Sequence, residues 1–488
     1  MSKKKEIIFL VILFLLSAFL RFQGLGYSDY YGDETKTLYL DKTVPAYRFF
    51  MDQRKGPLQF MTVWFMEKLT IGYSEVFVRF PFAFAGLLTV FVFYVLVKKL
   101  FGWQTAAISS LLFSVSGFNV AFSRTAQYQS LLVFFGILAI YLFLEALRTR
   151  QSWLYALSAV SLSLSFWAHY DAIFFLIPIA YLLILNFIKK EIELKRIIID
   201  FVLPFLVLTS LFYVPYIIQG YFNTNVVGYL ERRFSGSSYL ENNSFYTFMV
   251  YNPTIVFGIV LLFGIQRLFQ KFEWRFNMLL SWFLGALIPL EIIVSNPGTH
   301  IHNYFIPIYI VSGYGIYNIY ISLRKSYRRV FLFIICITLM FLSAVSLFVY
   351  APAYNKGYPW KPSKFLGTTF NPPLKDKYHL YLYGFPYNRG WRQISEFIKS
   401  EKGVNGVYTN DNDTIAEYYL LGFNYTIPGS NFIPHYYIHV FNNQQFTRED
   451  EEFYLSFIGE YKEVKKIFVD NELSAIVFKK KETYQPLD

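Results

Sequence analysis

The chain has 488 residues, of which 55% are hydrophobic, 21% aromatic and only 16% charged. This composition excludes an ordinary soluble enzyme and predicts an α-helical polytopic membrane protein. The formal net charge of +12 follows from membrane topology, because short cytoplasmic loops concentrate Lys and Arg, and it gives no reason to invoke nucleic acid.

Apolar runs long enough to cross a bilayer occupy 6–22, 80–97, 103–122, 129–147, 152–169, 171–188, 198–219, 246–266, 277–295, 303–322 and 330–350, which predicts eleven transmembrane helices. The first run reads as a retained signal anchor, since no small-residue cleavage site precedes Arg21. Pro57 to Leu69 is short, carries Glu67 and Lys68, and would invert every later loop, so it reads as an interfacial helix. If Lys3, Lys4 and Lys5 are cytoplasmic, alternation puts Lys98/Lys99, Arg148/Arg150, Lys189/Lys190, Arg267/Lys271 and Arg324/Lys325 on the same side. The single cysteine, Cys336, excludes a disulfide framework within the chain.

After the first run comes a polar loop, 23–79, which this topology places outside. It opens with Asp33-Glu34, adjacent carboxylates suited to general-base work at a membrane surface. The same pair suits a helix start, with Asp33 as N-cap and Glu34 favoured by the helix dipole. Arg54-Lys55-Gly56-Pro57 follows, where Gly and Pro shape a turn that aims Lys55, and Arg79 closes the loop at the second span. Cations on this side are either snorkelling anchors or phosphate ligands.

The second external segment, Ser123 to Ser130, joins two spans with almost no spacer and holds Arg124, Gln127 and Tyr128. Arg124 is suited to bidentate phosphate binding or to interfacial anchoring. His169-Tyr170-Asp171 is packed between two apolar runs, where the polar pair is placed to bind substrate or to cap the next helix. Glu291 precedes the last polar element, His300-Ile301-His302-Asn303-Tyr304. Two histidines at i and i+2 are ligand types for a metal, but no Cys or carboxylate at matching spacing accompanies them, so the sequence predicts no metal requirement.

Past Tyr350 prolines accumulate and charge density rises, which predicts that 1–350 is the membrane domain and 351–488 a separate external α/β domain. Within it, Trp391 to Ser400 and Thr414 to Leu421 read as helices and Gly406 to Thr409 as a strand. Tyr461 to Asp470 and Leu473 to Phe478 read as a hairpin. Asp411-Asn412-Asp413 reads as a turn leading into a helix N-cap rather than as a metal-binding Asp-x-Asp.

The order of these elements resembles membrane glycosyltransferases of the GT-C fold, in the branch of the protein O-mannosyltransferases and the lipid A aminoarabinose transferase. The likeness rests on Asp33-Glu34, Arg54-Lys55-Gly56-Pro57-Leu58, Arg79, Arg124 to Tyr128, and His302 to Pro307 within 1–350. It departs at Gly56, Gln127 and Asn303, where the branch's pattern has other residues. The resemblance implies inverting transfer of a sugar from a polyprenyl-phosphate carrier to a lipid, glycan or protein acceptor at the outer face of the plasma membrane. It assigns Asp33 and Glu34 to catalysis, and Lys55, Arg79, Arg124, His302 and Tyr304 to the donor phosphate. Gln127, Tyr128, His169, Asp171, Glu291 and His300 are further candidates for substrate contact. No cofactor is implied beyond the lipid-linked donor.

Two other classes compete. A flippase or transporter of lipid-linked sugars would place ionisable residues near the bilayer midplane, often in repeated halves, whereas the charges here gather at one face. An oligosaccharide ligase or polymerase would share the fold and differ in donor.

Overall fold

The computed structural model describes residues 3–481 except 71, 192, 236–242, 271–272, 356, 371–381, 424–432, 442 and 444–458. Every one of the eleven predicted runs falls on a helix or a bent helix pair. They are α1 (Lys3–Phe22), α5 (Glu75–Phe101), α6 (Trp103–Val115) with α7 (Gly117–Ser123), α8 (Tyr128–Thr149), α9 (Ser152–Ala168) and α10 (Ile173–Ile188). Beyond these come α11 (Leu194–Ile218), α13 (Ser244–Tyr251) with α14 (Ile255–Gln270), α15 (Trp274–Ile293), α16 (His302–Ser322) and α17 (Lys325–Tyr350).

Among the described residues, six helices are long and apolar enough to cross a membrane, or eight if each bent pair is one span. The other three runs fall short for local reasons: α1 carries Lys3, Lys4, Lys5 and Glu6 at one end and Arg21 at the other, α9 has 17 residues, and α16 is diluted by Tyr304, Tyr309, Tyr314, Tyr317, Asn318 and Tyr320. The chain is a multi-pass membrane protein.

The loop before α5 contains α2 (Gly32–Thr35), α3 (Ala46–Met51) and α4 (Leu58–Thr70), the last covering the run expected to be helical. The end of the bundle away from this loop carries the basic turns. There Lys99 pairs with Glu145 at 2.6 Å, Arg148 pairs with Glu145 at 2.9 Å, and Lys98 pairs with Glu6.

Past α17 the chain forms a small hairpin of β1 (Ser363–Phe365) and β2 (Thr368–Phe370), then a four-stranded mixed sheet. Its order is β3 (Val407–Thr409), β4 (Tyr436–Val440), β6 (Glu472–Lys480), β5 (Tyr461–Val469), with β3 and β4 parallel and the other pairs antiparallel. Helices α18 (Trp391–Ser400) and α19 (Asp413–Tyr419) complete the domain, α19 capped by the Asn412 side chain as the sequence predicts. Strand β4 was not expected. It is the central partner that joins the predicted strand to the predicted hairpin.

This domain is pinned to the loop that precedes α5. The Asp29 carboxylate accepts hydrogen bonds from the Arg389 and Trp391 N–H groups at 2.6 and 3.4 Å, so a residue of the loop serves the N-terminus of α18. Thr35 and Thr414 share a hydroxyl hydrogen bond at 2.8 Å. Arg392 pairs with Glu75 at 2.6 Å.

Candidate active site

The Asp33-Glu34 dipeptide lies in α2, and its two carboxylates point to opposite fates. Glu34 is wholly buried. It accepts from the Tyr31 N–H at 2.9 Å and the Ala126 N–H at 2.7 Å, and it pairs with Arg79 through both oxygens. Asp33 is not the N-cap, which is Tyr31. Its carboxylate remains 23% exposed.

Around Asp33 stand Lys36 at 3.0 Å and Lys55 at 3.6 Å, and the Tyr383 hydroxyl donates to its Oδ2 at 3.2 Å. Burial alone would raise the Asp33 pKa. Lys55, then Lys36 and Arg54, outweigh it and hold the carboxyl well below the usual carboxylate range. Burial, with the like charges of Arg54 and Lys36, lowers the Lys55 pKa against the pull of Asp33.

Lys55 owes its place to the turn. A Cβ on Gly56 would sit 2.0 Å from the Trp167 carbonyl oxygen, so only glycine allows this turn to press against the end of α9. Lys55 Nζ also lies 5.0 Å from the centre of the Tyr128 ring, and Tyr128 stacks on His169 at 3.9 Å. Three expected residues from separate segments between helices are thereby brought together.

Two cations assigned to the donor phosphate are engaged elsewhere. Arg79 uses all five N–H donors: Nε and Nη2 on Glu34 at 2.9 and 2.7 Å, Nη1 on the Leu25 and Ser28 carbonyls, and Nη2 again on the Asp29 carbonyl. It is a buried strut for the loop, so the expectation of phosphate binding is corrected. Arg124 is also buried, and its Nη1 meets the Leu20 and Gln23 carbonyls at 3.0 and 2.9 Å. A guanidinium there satisfies the last carbonyls of α1 and favours its dipole, which replaces the expected phosphate role.

The later candidates divide in the same way. Asp171 Oδ2 lies 2.6 Å from His300 Nδ1 and accepts from Asn303 at 3.1 Å, while His169 Nδ1 accepts the Asp171 N–H at 3.1 Å. His302 is buried against the Thr299 carbonyl at 2.8 Å, so it is not brought to Lys55 or Asp33 by any contact. Tyr304 donates to Glu291 at 2.9 Å, and Ser244 donates to the same oxygen at 2.7 Å. Gln127 is buried at the start of α8.

Sequence reasoning missed Tyr383, whose contact with Asp33 spans 350 positions. It quoted Arg54 without giving it a role and passed over Arg233; the two flank the Tyr229 ring at 3.8 and 5.0 Å in α12 (Gly228–Ser235). The Glu231-Arg232-Arg233 charge run was the available signal for the last of these.

Residues 54–214 match the family model described as dolichyl-phosphate-mannose-protein mannosyltransferase. The chain is 30% identical over 173 residues to the putative mannosyltransferase YkcB of Bacillus subtilis, a stretch that covers 32% of this chain and 23% of that relative. Across nearly its whole length it resembles ArnT of Cupriavidus metallidurans bound to undecaprenyl phosphate, with a TM-score of 0.58, 12% identity and 98% of each chain covered. It also resembles the Archaeoglobus fulgidus oligosaccharyltransferase, with a TM-score of 0.53, 13% identity, and 89% of this chain and 61% of that one covered. The chain has the GT-C fold of these membrane glycosyltransferases.

Proposed function

We propose that the chain transfers a sugar from a polyprenyl-phosphate carrier to an acceptor at the outer face of the membrane, with inversion at the anomeric carbon. The observation that carries this reading is the partly exposed Asp33 carboxylate 3.6 Å from Lys55, on the first loop of a GT-C fold. Support comes from the 54–214 match to a dolichyl-phosphate-mannose-dependent family, which begins at the Arg54-Lys55 turn.

In this mechanism Asp33 takes the proton from the acceptor nucleophile as that atom bonds to the anomeric carbon. The bond from that carbon to the carrier phosphate breaks, and its electron pair leaves with the phosphate. Lys55 offsets the charge that grows there. Held low by its neighbours, Asp33 is ionised but weakly basic until a donor phosphate engages Lys55 and draws that charge away. Glu34 and Arg79 act one step removed, by fixing α2. The acceptor class is a lipid, a glycan or a protein. In this reading the N-terminus is cytoplasmic and residues 351–488 lie outside, where Tyr383 reaches Asp33.

The test supplies reconstituted protein with polyprenyl-phosphate sugars and follows release of polyprenyl phosphate together with the anomeric configuration of the product. Release with inverted product is expected, and retention of configuration would overturn the mechanism. For sidedness, Lys402→Cys in a Cys336→Ala background should react with an impermeant maleimide in intact cells. Labelling only after the cells are opened contradicts the topology.

A further inference from the structure

His169, Asp171 and His300 are the residues the proposed mechanism leaves unused, yet they form the densest cluster of metal-ligand types among the described residues. One ligand atom from each lies within 4.8 Å of the others. Asp171 Oδ2 is 2.6 Å from His300 Nδ1, and Asp171 Oδ1 is 3.1 Å from His169 Nδ1. His169 and Asp171 are buried, and the His300 side chain is only 12% exposed.

Two tight turns set the placement. His169 and Asp171 are set by the 3-10 turn Tyr170–Ala172 between α9 and α10. His300 sits on a second 3-10 turn, Gly298–Ile301, which begins at a positive φ of 58° that glycine tolerates. Tyr128 fixes the His169 ring by stacking at 3.9 Å, and Asn303 holds the Asp171 carboxylate at 3.1 Å. A carboxylate ligand held by an outer hydrogen bond is how protein metal sites orient their donors.

The donor set adds a chemical argument. His169 Nδ1 lies 3.1 Å from the Asp171 N and 3.1 Å from Asp171 Oδ1, and His300 Nδ1 lies 2.6 Å from Asp171 Oδ2. Two imidazoles and one carboxylate are a set that favours a divalent ion of the zinc type, with a coordination position left for water or another oxygen.

We propose that His169, Asp171 and His300 bind one divalent transition-metal ion. This runs against the sequence expectation of no metal, which weighed His300 with His302. In the structure His302 turns to the Thr299 carbonyl, and the partners of His300 come from a loop about 130 positions away.

The test uses purified full-length protein with a histidine-free tag, stripped with a chelator and titrated with Zn²⁺ and Co²⁺ in the absence of any donor lipid. One equivalent should bind, with visible Co²⁺ absorption of tetrahedral intensity. Asp171→Asn and His300→Gln should weaken binding by about tenfold or more, while His435→Ala in the tail should leave it unchanged. The elution profile and unfolding temperature of each variant show whether it has folded. No binding at micromolar free ion, or equal binding by folded His300→Gln and the wild type, overturns the proposal. Because no transfer reaction is read out, this result is independent of the glycosyltransferase reading.

Discussion

Glu34 and Arg79 form a two-point ion pair, with contacts of 2.9 and 2.7 Å, in which neither side chain is more than 1% exposed. The pair ties the loop bearing Asp33 to the first turns of α5. Removing one partner leaves an uncompensated buried charge, which costs about 3–5 kcal/mol. Arg79→Ala and Glu34→Ala should therefore reduce the yield of monodisperse protein and lower its unfolding temperature. Normal stability in Arg79→Ala, combined with loss of polyprenyl-phosphate binding alone, would restore the phosphate role.

Of the two lysines that face Asp33, Lys55 is the one assigned to the donor phosphate. Lys55→Ala should weaken binding of a polyprenyl-phosphate analogue by about 1.5–3 kcal/mol, the range for a charged hydrogen bond. Gly56→Ala should reproduce part of that loss without touching the charge, because its methyl group would strike the Trp167 carbonyl. Direct binding measurements on both variants check this.

Tyr383 reaches Asp33 from the region after α17, so that region contacts the proposed base. Tyr383→Phe removes only the hydroxyl. It should change turnover by about 1.5–3 kcal/mol of barrier, the range for a hydrogen bond to a charged group, and leave donor affinity unaltered. A steady-state comparison of kcat with donor Kd separates the two.

Docking of the tail should depend on pH through Asp29. Burial raises its pKa to about 6, partly opposed by the Arg389 and Trp391 N–H groups. In the unfolded chain an aspartate titrates near about 3.9. Between those values the folded state holds the extra proton, so this contribution to stability is full below about pH 4 and falls as pH rises through about 6. Unfolding temperature should decline across that window, and Asp29→Asn should flatten the decline. An unchanged slope in Asp29→Asn would place the dependence elsewhere.

Local patterns were legible in the sequence. The eleven apolar runs became helices because burial of an apolar stretch is written residue by residue, and Asp33, Glu34 and Lys55 were marked by polarity beside a span. Long-range partners were not legible. Arg79 and Arg124 showed their charge and their side of the membrane, but not the backbone carbonyls of α1 and its following turn that occupy them. Tyr383 carries no local sign that it meets Asp33. The spacing of His300 and His302 suggested that they act together, whereas the 3-10 turn before α16 separates them and sends His300 to Asp171.

The central claim is that Asp33 is the base for transfer, and turnover of Asp33→Asn in reconstituted protein tests it most directly. Asparagine keeps the size of the side chain and an oxygen acceptor for Tyr383 and Lys55, while removing basicity. Turnover should fall by about 10²–10⁴, the range for loss of a general base, with donor binding and folding retained. Turnover within about threefold of wild type in a folded, donor-binding Asp33→Asn protein would contradict the assignment, since an effect that small is far below what loss of a base predicts.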